Sequence, residues 1–220
     1  MGLDSRQSKS TFRNRLAALS LVLSGIFFLL FPVVRPFFDE TSLQGAKEFA
    51  SAQWVAAHSF GMGGFILLGL GFLGIYLRLQ STEVERRVFR ALILCWVGVG
   101  LTLPFFGAEA FSLQVIGQTI VNQNNPSLIP LVNQVRYGPG IIFVSLGLLL
   151  VAAATILLAY AIWKSKVLPK WSGVPLAIAF AIYIPQLQGD PIFQPIRIGV
   201  ALVILLGCSW TAWGMLHEDK

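Results

Sequence analysis

Six apolar stretches run along the chain, roughly Leu16–Val34, Trp54–Leu77, Ala91–Phe111, Pro139–Trp163, Trp171–Pro185 and Pro195–Leu216. A helix crosses the hydrocarbon core of a bilayer in about 20 residues. Five of the stretches meet that length, and Trp171–Pro185 is short for it. The pattern therefore predicts an all-α membrane protein, a bundle of six transmembrane helices forming one polytopic domain over residues 1–220. The hairpin from Trp54 to Gln118 organises the rest, because each of its arms carries one ionisable residue inside an apolar run, His58 and Glu109.

The polar intervals supply the punctuation. Met1–Arg15 reads as a frayed tail, and the first span as an uncleaved helix closed by Pro32 and Pro36. Thr41-x-x-Gln44 has the form of a capping box. It predicts a helix running directly into the second span, with Trp54 anchored at the interface. Arg78–Arg90 is a charged turn. The longest loop, Gln118–Gly138, is polar yet almost uncharged. Asn125 before Pro126 caps a short helix there, with Leu128, Ile129, Leu131, Val132 and Val135 on its apolar face. Short helical caps are thus expected on the outer side.

Composition agrees with a lipid solvent. The chain is 55% hydrophobic and 12% charged, with mean hydropathy +0.73, whereas soluble domains carry about a quarter charged residues. The net charge of +6 does not imply nucleic acid, because the basic residues sit in clusters at span ends. Counted on alternate sides, twelve of the sixteen lysines and arginines fall with the N-terminal tail. Only Arg35, Lys47, Arg136 and Arg197 fall on the other side. Basic loops stay inside, so both termini are expected in the cytoplasm, with the chain in the cell (plasma) membrane. Cys95 and Cys208 lie within apolar runs and read as small buried hydrophobes.

Two stripes carry candidate chemistry. Ala57, Gly61, Gly64, Gly71 and Gly74 fall within roughly 140° on the second span, a seam for close helix packing or room for a flat ligand. On the third span Cys95, Gly98, Thr102, Phe105, Glu109 and Ser112 fall within roughly 100°. Pro104 interrupts that stripe and frees the carbonyl of Gly100. A carboxylate within a span costs about 2.5–3.5 kcal/mol, so Glu109 is expected to be paired, protonated or hydrated. Its candidate partners at the outer end are His58, Arg136, Arg197 and the amides Gln114, Gln118, Gln186 and Gln188. Arg197 is the first choice, because it begins a span at the same depth.

Three function classes fit. A binding or transport protein uses this outer cluster as a polar pocket for a small molecule, a lipid headgroup or a proton, with His58, Glu109, Gln114, Arg136 and Arg197 lining it. A structural or assembly protein uses the glycine face to dock a membrane-protein partner or a second copy. A membrane enzyme uses His58 and Glu109 as base and acid, the weakest case for an enzyme resting on two isolated residues. No cofactor or metal is expected. The second histidine, His217, lies in the tail, so paired haem ligands are lacking. No span contains a lysine for a retinal Schiff base. No Gly-x-Ser-x-Gly elbow, phosphate-binding loop or Cys-x-x-Cys motif occurs. The partners that remain are the lipid bilayer, a small-molecule or lipid ligand, and a membrane-protein partner.

Overall fold

A computed structural model describes residues 2–183 and 191–217, with side chains from residue 12 onward. The described residues form helices and connecting turns, with no strand. The helices are α1 (Gly2–Val34), α2 (Leu43–Phe49), α3 (Ala52–Leu79), α4 (Glu85–Gly107), α5 (Leu113–Gln123), α6 (Ile129–Tyr137), α7 (Gly140–Ser165), α8 (Val174–Ala181) and α9 (Gln194–Leu216). A π turn, Ala108–Ser112, joins α4 to α5 without a break in the helix. Five helical stretches are long and apolar enough to cross a membrane: Phe12–Val34, Ala52–Leu79, Glu85–Gln123, Pro126–Ser165 and Pro191–Leu216.

Six helices close a ring in the order α1, α3, α4, α7, α8, α9 and back to α1. Close approach at glycine sets two of its seams. A Cβ on Gly64 would lie 3.2 Å from the Phe28 ring, and one on Gly71 or Gly74 would overlap Leu21 or Ala17 of α1. Ser24 Oγ donates across the same seam to the Gly64 carbonyl (2.8 Å). The glycine face of α3 is therefore packed from within the bundle, against α1 at Gly64, Gly71 and Gly74 and against Phe106 at Gly61. The second seam joins α4 to α7, where a Cβ on Gly98 would sit 2.7 Å from the Gly147 carbonyl oxygen. Small residues in such seams let dispersion and short polar contacts act where lipid offers no hydrophobic drive.

The ring encloses an aromatic core. Phe28 packs edge-on against Phe65 (4.9 Å between centroids) and Phe180 (5.5 Å), and Phe65 meets Phe106 at 5.5 Å. Tyr183 stacks on Phe180 (5.3 Å). Large apolar side chains at mid-helix positions on the outside, among them Leu19, Ile66, Ile93, Leu149, Leu202 and Leu206, stay exposed. An apolar exterior over a filled interior suits lipid, which solvates such side chains without penalty.

Several local expectations change. The polar N-terminal stretch continues α1 back to Gly2. The cap of α2 is Ser42, whose side chain accepts from the Gly45 N–H (3.1 Å), not Thr41. Thr41 is engaged instead by Asp39, whose Oδ1 accepts from both its hydroxyl and its amide. Helix α2 does not run into α3. It stops at Ala50, and Ser51 caps α3 anew by accepting from the Trp54 N–H (3.2 Å). That break turns α2 onto α5.

The fifth apolar stretch holds only α8, eight residues long, or about 12 Å of helix. Its start lies beside the C-terminal part of α9. A Cβ on Gly214 would meet Pro169, one on Gly207 would lie 2.8 Å from Leu176, and Thr211 donates to the Ser172 carbonyl (3.1 Å). The first turns of α9 lie at the other end, where Arg197 meets Phe37. Residues 184–190, and with them Pro185, Gln186 and Gln188, lie outside the described residues.

Candidate functional site

The ionisable residues singled out from the sequence gather at the end of the bundle opposite the chain's N-terminus. The elements that position them are the turn after α1, the first turns of α3 and α9, the π turn and α6. Glu109 stands on the π turn. There the Leu113 N–H reaches back five residues to the Ala108 carbonyl. This widened turn resets the helical phase, so that Glu109 and Ala110 are buried while Ser112, predicted on the same stripe, is exposed. Turns of this kind recur at functional positions in helices.

Both oxygens of the Glu109 carboxylate are taken. Arg136 Nε donates to Oε1 at 2.7 Å, and His58 Nε2 lies 3.0 Å from Oε2. The Glu109 backbone carbonyl accepts the Trp54 indole N–H at 2.7 Å. Trp54 is buried within the protein, and its ring lies 4.3 Å from that of His58. Two residues missed from the sequence extend the network. Glu40 bridges Arg136 and Arg35, the latter at 3.0 Å. The Arg35 guanidinium also lies over the rings of Phe37 (4.7 Å) and Trp54 (4.8 Å). A charge-balance check could have found Glu40, because it is a carboxylate in the same short loop as Arg35.

The sequence pointed first to Arg197 as the partner of Glu109. The structure gives that place to His58 and Arg136, and sets the Arg197 guanidinium over the Phe37 ring at 4.2 Å. Gln114 is half-buried on α5 and contributes no hydrogen bond to the cluster, and Gln118 is exposed.

Burial governs the electrostatics. His58, Glu109, Arg35, Arg136 and Arg197 are each at most 5% exposed. Three guanidiniums face two carboxylates and one imidazole among the described residues. Burial pushes Arg35 below its ordinary pKa, and the negative charge of Glu109 pulls it back up. Beneath His58 the rings of Phe31 (5.4 Å) and Phe106 (6.0 Å) close off the aromatic core. Among the cavities formed by the described residues, three of about 360 to 420 Å³ have linings that do not include Glu109. Among the described residues no three His, Cys, Asp or Glu side chains gather as a metal set.

The hydrogen bonds constrain a proton. A carbonyl oxygen only accepts, so the 2.8 Å contact from His58 Nδ1 to the Trp54 carbonyl places a hydrogen on Nδ1. The contact from Nε2 to Oε2 then needs one more. Either an imidazolium donates to the carboxylate, or a protonated carboxyl donates to the neutral ring. Removing that proton sets a lone pair against a carboxylate.

Fold and site together describe an all-helical chain whose long apolar helices suggest a membrane protein, with a buried ionic cluster at one end. No family model, curated protein or solved structure matches the chain.

Proposed function

We propose that the chain is a multi-pass protein of the cell membrane that binds a proton at the His58–Glu109 pair, within an outer polar cluster completed by Arg35, Glu40, Arg136 and Arg197. The proposal takes both termini as cytoplasmic and the fifth apolar stretch as a sixth crossing. The asymmetry of basic residues supports the first. The change of bundle end between Pro169 and Arg197 supports the second.

The observation that carries the reading is the single proton required between His58 Nε2 and Glu109 Oε2, with Nδ1 already committed to the Trp54 carbonyl. Ionisable residues at membrane depth are expensive and mark ion and proton sites. Among the ligands the sequence allowed, a proton suits a carboxylate whose two oxygens are already engaged. Infrared difference spectra across a pH titration in nanodiscs test this. A carboxyl or carboxylate band should change in the wild type and vanish in Glu109→Gln. Identical spectra from the two proteins would refute it.

The same contacts support a structural reading, in which the cluster fastens α2, α6 and the turn after α1 to α3. In that case Glu109→Gln lowers the melting temperature while no band titrates.

A further inference from the structure

At the end of the bundle that holds the chain's N-terminus, we propose that a cavity formed by the C-terminal end of α7 and the following turn is a binding site for the phosphate headgroup of an anionic phospholipid. The cavity, about 420 Å³, is lined by Trp163, Lys164, Lys166, Leu168, Pro169 and Lys170. Three of its six lining residues are lysines. Aromatic rings gather the cations around its rim: Lys164 Nζ lies 4.5 Å from the Trp163 centroid, and Lys170 Nζ lies 5.3 Å from Trp163 and 5.2 Å from Trp171. A fourth cation, Arg87 of α4, stands over Tyr160 at 5.3 Å, one turn away.

None of these four cations pairs with a carboxylate among the described residues, in contrast to the outer cluster, where Glu40 and Glu109 answer the arginines. Like charges gathered with no counter-ion among the described residues repel one another, and an anion in their midst relieves that repulsion. The backbone points the same way. Lys166 closes α7 at φ 56°, a left-handed position where helices ordinarily carry glycine or asparagine. That left-handed turn ends α7 and brings Lys166 and Lys170 to the same cavity as Lys164.

The location selects lipid as the source of the phosphate. Ile156 and Tyr160, exposed on α7, lead from the apolar flank to this rim, and Trp163 and Trp171 stand exposed beside it. Apolar surface below, tryptophan at the boundary and lysine above match an acyl chain, a glycerol backbone and a phosphate in turn. Basic pockets between helices at a membrane surface hold anionic headgroups in this manner.

Native mass spectrometry of protein released from vesicles of phosphatidylcholine mixed with phosphatidylglycerol tests the site. The wild type should retain phosphatidylglycerol over phosphatidylcholine. The triple variant Lys164→Gln, Lys166→Gln, Lys170→Gln should lose about a hundredfold of that preference, each interfacial cation contributing about fivefold. The matching triple arginine variant should keep it, which separates loss of charge from loss of fold. Equal retention of the two lipids by the wild type would overturn the proposal, as would an unchanged preference in a folded glutamine variant. Soluble glycerol phosphate binding to protein in pure phosphatidylcholine as tightly as the lipid does would overturn the assignment to lipid.

Discussion

Replacing Glu109 by glutamine removes one buried negative charge and almost no volume. The amide oxygen can still accept from Arg136 Nε, and the amide nitrogen can donate to the bare Nε2 of a neutral His58. Both contacts, now 2.7 and 3.0 Å, survive as geometry and lose their charge assistance. A hydrogen bond to a charged group contributes about 1.5–3 kcal/mol, roughly twice a neutral one. Halving two such bonds should cost about 1.5–3 kcal/mol, or about 3–12 °C in melting temperature for a chain of this size. Alanine leaves His58 and one side of Arg136 with nothing, and should cost about 3–5 kcal/mol. Thermal melts in detergent read both, and a double-mutant cycle with Arg136→Gln isolates the pair. Glutamine and alanine variants that melt together within about 1 °C of the wild type would refute the claim that this carboxylate is buried and paired.

Three further outcomes follow from the same contacts. Gly71→Ala should destabilise by about 1–3 kcal/mol because its Cβ overlaps Leu21, whereas Gly100→Ala, with open space beside it, should be close to neutral in the same melts. Trp54→Phe should keep the ring packing on His58 and lose the bond to the Glu109 carbonyl, at about 1–2 kcal/mol by denaturant titration. In intact cells, a cysteine at Ser81 should resist impermeant thiol reagents while one at Asn122 reacts. The native Cys95 and Cys208 are buried and give no background; the opposite labelling would reverse the orientation.

The fold was legible wherever apolar length alone decides it. Five long helices follow from their stretches, and so does the helical turn after Asn125, whose side chain accepts from the Ser127 N–H. The glycine stripe of α3 could be read for the same reason, since angular position on one helix needs no knowledge of neighbours. Its counterpart across the ring needed two helices at once, as Gly98 meets Gly147. A regular 100° step carried Ser112 inward with Glu109, because nothing in Ala108–Ser112 announces a π turn. The site was legible as a set of residues at one depth, not as a set of pairs. Arg197 and Arg136 looked equivalent on the page. Only packing shows that α6 folds back to bring Arg136 to the carboxylate, while Phe37 takes the face of Arg197. Glu40 stood in a loop whose path no helical period describes.

The chain contains two histidines, His58 and His217, so nitrogen-15 NMR of histidine-labelled protein in nanodiscs reads the central pair against a built-in control. Nδ1 of His58 should carry its hydrogen, held by the Trp54 carbonyl 2.8 Å away. The Nε2 resonance should shift as the proton shared with Glu109 is gained and lost. In Glu109→Gln that shift should disappear, leaving a neutral ring, while exposed His217 behaves identically in both proteins. A His58 ring bare at Nδ1, or one whose titration is the same with and without the carboxylate, would contradict the proton site.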